Sequence, residues 1–61
     1  MNYEYYYHKG MLYRTLDGKV WAMVEGKGWM EGWDSGDSIN EKNLIKEDDA
    51  RKLVERLGEI F

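Results

Sequence analysis

The chain has 61 residues, no cysteine, one histidine and a formal net charge of −3. A domain this small buries only about 60% of its unfolded surface, so its core needs a supplement. The composition excludes disulfides and thiolate zinc sites, and the lone His8 argues against a transition-metal site. Self-association is the supplement that remains, and we expect a homo-oligomer with no cofactor.

Charge and hydropathy also restrict the partners. Residues 1–30 hold four basic and three acidic side chains, whereas residues 31–61 hold five and nine. A negatively charged chain is not expected to be a general binder of DNA or RNA. No apolar run approaches the ~18 residues that cross a bilayer, and Met1–Tyr5 lacks the basic and apolar segments of a signal peptide. We expect a cytoplasmic protein without a membrane partner.

The first half of the chain predicts a sheet. Residues 3–33 contain eight of the nine aromatic side chains and follow the strand period of two. Three turn signals divide this segment into four strands: Lys9-Gly10, Asp17-Gly18 and Gly26-Lys27-Gly28. An Asp-Gly pair is typical of a type I′ hairpin turn. The segment is therefore predicted to be an antiparallel meander.

Two-residue turns fix a strand register, although three residues would be as natural at the third turn. Arg14 then lies between Tyr5 and Trp21 on neighbouring strands, and Val24 lies opposite Trp29. This register predicts two apolar faces. One face holds Tyr6, Met11, Tyr13, Val20, Ala22, Val24, Trp29 and Trp33. The other face holds Tyr3, Tyr5, Tyr7, Leu12, Arg14, Leu16, Trp21, Met23 and Met30.

The second half predicts a polar loop over residues 34–44 and a helix over about 46–58. The helix is indicated by apolar side chains at helical spacing: Ala50, Leu53, Val54 and Leu57. The fold class is therefore α+β, a single domain over residues 1–61 with a four-stranded antiparallel meander and one helix packed on one face. We assign the helix to the face with Val20, Ala22 and Val24, because small side chains let a helix approach.

The sheet face that this helix leaves uncovered is the predicted site, with Arg14 at its centre. A guanidinium held between aromatic rings can bind an anion, and the rings can stack on a planar base. The simpler alternative is that Arg14 and Trp21 form an ordinary cross-strand pair. The predicted ligand-binding residues are Tyr5, Tyr7, Arg14, Trp21, Met23 and Lys19.

The remaining motifs do not support catalysis or metal binding. The Gly26-Lys27-Gly28 segment lacks the third glycine and the following helix of a dinucleotide fingerprint. Residues 34–38 carry the oxygen ligands of a calcium loop without its spacing. Ser35 and Ser38 lack the strand-turn-helix elbow that would activate a serine with His8. We expect no enzymatic activity and no metal site.

The pattern Lys9-Gly10-Met11-Leu12-Tyr13-Arg14, then Asp17-Gly18-Lys19-Val20-Trp21 and a closing acidic helix, resembles short bacterial and phage reading frames. The resemblance implies a phage-type inhibitor of host defence, acting by sequestering a nucleotide-derived immune signal. Two alternatives stay open. The chain could bind a host protein through the aromatic face or the Ile60-Phe61 tail, or it could be a structural homodimer with no ligand.

Overall fold

The computed structural model describes residues 2–32 and 36–61. Its elements in chain order are β1 (Glu4–His8), β2 (Met11–Leu16), β3 (Lys19–Val24), β4 (Gly28–Glu31), β5 (Leu44–Ile45) and α1 (Glu47–Arg56), with short 3-10 helices at Gly36–Ser38 and Glu41–Asn43. The predicted α+β class, with an antiparallel sheet and a C-terminal helix, is confirmed. The prediction of four strands is wrong, because β5 adds a fifth and the strand order is β4-β3-β2-β1-β5.

The fifth strand lies at the edge of β1, where Tyr5 pairs with Ile45 and Tyr6 pairs with Leu44. It is two residues long. Such a strand is too short to show a period in the sequence. Only Lys46 separates β5 from α1, so the position of β5 at the sheet edge determines where α1 begins.

The first two hairpin turns have the predicted geometry. Their backbone φ angles are positive at both positions, 49° and 82° at Lys9-Gly10 and 51° and 78° at Asp17-Gly18. Positive φ at both central residues is what a type I′ turn requires. The predicted register follows, and Arg14 lies between Tyr5 on β1 and Trp21 on β3.

The third turn contains three residues, so the two-residue register predicted there is wrong. Val24 pairs with Gly28, and the Lys27 N–H donates to the Val24 carbonyl at 2.9 Å. Gly26 occupies the third position of this turn with φ 85°. That is the position at which a type II turn needs a positive φ, which glycine adopts without strain.

One additional turn residue exchanges the faces of the two following side chains. Trp29 pairs with Met23, and Met30 pairs with Ala22. Trp29 therefore lies on the face of Arg14, and Met30 lies on the opposite face. Trp33, which was assigned to a face by the same register, lies outside the described residues, as do Asp34 and Ser35 of the predicted loop.

The helix covers the face that carries Arg14, so its assignment to the face of Val20, Ala22 and Val24 is wrong. The buried cluster between the helix and the sheet consists of Tyr5, Leu12, Met23, Ala50 and Val54. The opposite cluster consists of Tyr6, Tyr13 and Ala22, with Ile39 packed against it. The segment before β5 therefore contributes Ile39 to the face of Ala22, whereas the helix that follows β5 lies on the other face.

The helix ends are set by backbone geometry. Lys46 precedes α1 without a capping hydrogen bond from its side chain. At the other end Gly58 has φ 74°, and its N–H donates to the Glu55 carbonyl at 3.0 Å. The Glu59 N–H donates to the Val54 carbonyl at 3.2 Å, which completes a Schellman motif. The described part of the chain holds no helix with the length and apolar character that crossing a membrane requires.

Candidate functional site: an arginine held by aromatic rings

Arg14 is surrounded by aromatic rings on the helix-covered face. Its Cζ atom lies 4.1 Å from the ring centroid of Tyr3, 4.2 Å from that of Trp29 and 5.5 Å from that of Trp21. These distances are within the ~6 Å range of cation–π contacts. We call Arg14 and these three rings the arginine cage.

The strands and their register position each ring of the cage. Trp21 is the cross-strand partner of Arg14 on β3. Tyr3 precedes β1 by one residue and meets Trp21 edge-on, with ring centroids 5.5 Å apart at 83°. Trp29 reaches Arg14 from β4 because the third turn has three residues.

The tail after α1 holds Trp29 in place. The Trp29 Nε1–H donates to the backbone carbonyl of Phe61 at 3.0 Å, and the two rings meet at 79°. The Phe61 ring also lies 5.3 Å from that of Tyr5. A second guanidinium, that of Arg51, lies 4.2 Å from the centroid of Phe61. The aromatic cluster is therefore flanked by two arginines.

The two arginines differ in whether a carboxylate neutralises their charge. Arg51 forms an ion pair with Glu47 at 3.2 Å. Arg14 has no carboxylate within ion-pair distance among residues 2–32 and 36–61. Its Nε atom is buried without a hydrogen-bond partner, while the residue as a whole is half-buried. The solvent-accessible part of the Arg14 side chain therefore lies away from Nε.

The hydroxyl of Tyr5, which is buried beneath the helix, interacts electrostatically with both arginines. Burial raises the pKa of its hydroxyl above the usual value of 10.0, and the negative charge of Glu47 raises it further. The positive charges of Arg14 and Arg51 lower that pKa to a smaller extent. Tyr5 is thus a neutral core side chain at ordinary pH, as its exposed fraction of 4% also indicates.

The structure divides the six predicted site residues into three groups. Arg14, Trp21 and Lys19 lie together at the end of the sheet where β2 turns into β3, since Lys19 shares the face of Trp21. Tyr5 and Met23 are buried beneath α1, with exposed fractions of 4% and 3%. The remaining residue, Tyr7, lies at the opposite end of the sheet.

Tyr7 belongs to a second surface, which we call the helix groove. This groove has a volume of about 240 Å³ and is lined by Tyr7, Gly10, Leu12, Met23, Leu53, Arg56 and Leu57. Tyr7 and Leu57 are unusually exposed for apolar side chains, at 40% and 37%.

The predicted ligand-binding residues did not include Tyr3, Trp29 or Phe61, although Tyr3 was placed on the face of Arg14. Trp29 was assigned to the wrong face by the two-residue turn, and the glycines at positions 26 and 28 were the signal for a longer one. Phe61 was treated as part of a tail without a defined contact. No sequence pattern predicts a contact between a residue after the helix and a ring on β4.

No metal site accompanies the cage, since the described residues contain no group of three or more His, Cys, Asp or Glu side chains placed to hold an ion. Comparisons with protein-family models, with curated proteins and with solved structures found no significant match to this chain. Its function must therefore be inferred from the cage and the surfaces around it.

Proposed function

We propose that this chain is a non-enzymatic binding protein that recognises an anionic ligand with the guanidinium of Arg14. The observation that carries the proposal is a half-buried arginine, stacked between rings, with no carboxylate partner among the described residues. Structural arginines in protein interiors are normally neutralised by a carboxylate or fully hydrogen-bonded. An arginine left without a carboxylate is suited to accept an anion from solution.

The cage favours an oxyanion with several acceptor oxygens. Stacking restrains the planar guanidinium, so less side-chain freedom is lost when it forms a bidentate contact with phosphate or carboxylate. Lys19 is exposed nearby and can contribute a second positive charge. Glu31, the partner of Trp21 on β4, brings one negative charge to the same end. Asp17, in the turn before Lys19, brings a second negative charge, so this end of the sheet carries charges of both signs.

The aromatic rings favour a ligand that also contains a planar group. Tyr3 and Trp21 are half-buried, so part of each residue is accessible to solvent. A base can stack on such a surface, and stacking contributes ~1–3 kcal/mol per base in proteins that use it. A nucleotide-derived molecule combines the anion and the ring. The biological form of this proposal is a phage-type inhibitor that sequesters a nucleotide immune signal in the host cytoplasm.

A panel of related compounds tests the proposal. Adenosine monophosphate, adenosine and inorganic phosphate are titrated into the protein, and binding is measured by calorimetry and by the shift in melting temperature. We expect the nucleotide to bind more tightly than phosphate, since it offers both the anion and the ring, and adenosine to bind least, since it lacks the anion. Binding to the folded state should raise the melting temperature.

The matched variants are Arg14→Gln and Arg51→Gln. Both remove one positive charge, although Arg14 contacts three rings and Arg51 contacts one, and only Arg51 already has a carboxylate partner. Binding should be lost in Arg14→Gln and retained in Arg51→Gln. Arg14→Lys keeps the charge without the planar fork and should bind more weakly than the wild type. Equal losses in the two glutamine variants, or no binding at millimolar ligand, would refute the proposal.

The helix groove supports a second candidate function, that of a protein-binding module. Its exposed Tyr7 and Leu57 are an apolar pair beside the cation of Arg56. Tyrosine and arginine are both enriched at protein interfaces. A displayed peptide library distinguishes this candidate from the first. Selected peptides should lose binding to Tyr7→Ser and keep it to Arg14→Gln, whereas the opposite result would exclude the groove.

A further inference from the structure

The strand β4 is an exposed edge of the sheet. It is the first strand in the order β4-β3-β2-β1-β5, so nothing in the described part of the chain pairs with its outer side. The other edge, β5, has only two residues and leads directly into the helix through Lys46. Of the two edges, β4 is the one with the length to accept another strand.

The hydrogen-bonding pattern shows which backbone groups of β4 point outward. The Gly32 N–H donates to the Val20 carbonyl at 3.0 Å, so this pair is hydrogen-bonded to β3. Bonded pairs alternate along an antiparallel ladder, which makes Met30 and Gly28 the next bonded positions. The N–H and C=O groups of Trp29 and Glu31 therefore face away from the sheet.

The side chains along this edge carry complementary charges. Lys27 precedes the strand and Glu31 ends it, and both are exposed. Neither forms an ion pair within residues 2–32 and 36–61. Met30, between them, is 37% exposed, which is high for an apolar side chain.

We propose that β4 pairs antiparallel with β4 of a second copy of this chain, in a register centred on Trp29. Trp29 would then lie opposite its own counterpart, with its outward backbone groups bonded across the two-fold axis. The same register sets Lys27 of each copy opposite Glu31 of the other, so two ion pairs form by symmetry. A register centred on Glu31 would instead place two carboxylates opposite each other.

This pairing produces a continuous ten-stranded sheet, since each copy contributes five strands. A two-fold axis perpendicular to the sheet keeps both arginine cages on the same face. The interface is a short strand with few side chains, so the dimer is weak and depends on concentration. The pairing does not use the guanidinium of Arg14, so it can form whether or not Arg14 binds a ligand.

Sedimentation equilibrium over a concentration series tests the pairing, using wild type, Lys27→Glu, Glu31→Lys and the double charge swap. Each single variant places like charges opposite each other and should weaken dimerisation at least tenfold. The double swap restores both ion pairs and should restore the dimer. Lys42→Glu, which changes the net charge by the same amount as Lys27→Glu but on an exposed 3-10 helix, should dimerise like the wild type.

A backbone variant tests the same pairing without relying on charge. The Glu31 N–H points away from β3, so Glu31→Pro removes an outward donor and no bond within the chain. It should abolish dimerisation, whereas Glu31→Ala should retain more of it. A monomer at millimolar concentration would overturn the proposal. So would a dimer unaffected by these variants, or a double swap that fails to restore pairing.

Discussion

The guanidinium of Arg14 lies 4.2 Å from the ring centroid of Trp29, a contact that exists only because the turn between β3 and β4 has three residues. A two-residue turn would place Trp29 on the opposite face of the sheet. The cage therefore depends on the loop that ends at Lys27, which lies outside the cage itself. Turn chemistry, strand register and the environment of one arginine are linked.

Substitution of Gly26 should reveal this dependence. Its φ of 85° is strained for any side chain, although a Cβ there would meet no heavy atom within 4 Å. Gly26→Ala should therefore lower the free energy of unfolding by about 1–2 kcal/mol through backbone strain alone. Glu25→Ala, at the exposed neighbouring position without a positive φ, should have little effect. Chemical denaturation of both variants is the measurement, and equal stabilities would show that the turn has another geometry.

The helix contact with the sheet gives a second prediction. Val54 on α1 is fully buried against the sheet at 0% exposure, whereas Leu57, the residue that follows α1, is 37% exposed. Val54→Ala should cost about 2 kcal/mol from lost burial and the cavity it leaves. Leu57→Ala removes a larger side chain but should cost less. If Leu57→Ala proved the more destabilising in urea denaturation, the helix would present a different face to the sheet.

The elements predicted correctly from the sequence are those fixed by local chemistry. Lys9-Gly10 and Asp17-Gly18 specify two-residue turns, because both positions require positive φ, and these turns set the pairing of Arg14 with its neighbours. The C-terminal helix was indicated by apolar spacing, and Gly58 ends it with a positive φ. Each of these signals lies within a few residues of the structure it determines.

The elements that were missed depend on distant parts of the chain. Both sheet faces carry large apolar side chains, so composition alone did not decide which one α1 would cover. The deciding feature is β5, whose two residues show no period. The contact between Trp29 and Phe61 joins residues 32 positions apart, and no local pattern encodes it. The site around Arg14 was predicted, but the contributions of Trp29 and Phe61 to it were not.

The tail after the helix should contribute measurably to stability. Phe61 is half-buried against Tyr5 and Trp29, whereas the preceding Ile60 is 90% exposed. Phe61→Ala should lower the free energy of unfolding by about 2 kcal/mol, less than for a fully buried ring. Ile60→Ala should change it by less than about 0.5 kcal/mol. Equal effects in thermal denaturation would mean that the tail does not pack on the cage.

Alkaline pH should unfold the protein partly through Tyr5. Burial raises the pKa of its hydroxyl in the folded state, so the folded chain resists ionisation that the unfolded chain permits. The contribution of neutral Tyr5 to stability is complete below about pH 10, the pKa of tyrosine in the unfolded chain. It is lost as the pH rises through the higher pKa that Tyr5 has in the folded chain. Tyr5→Phe should therefore show a smaller alkaline decrease in melting temperature. Parallel curves for the two proteins would contradict this.

The most direct measurement of ligand binding at the cage is a nuclear magnetic resonance titration that resolves the side-chain N–H groups. Adenosine monophosphate is added to nitrogen-labelled protein, and the guanidinium signals of Arg14 and Arg51 are followed together with the indole N–H of Trp21. Binding at the cage predicts saturable shifts of Arg14 and Trp21, with Arg51 unchanged because Glu47 already neutralises it. Equal, non-saturating shifts of both arginines would mean that Arg14 is only a packed cross-strand residue.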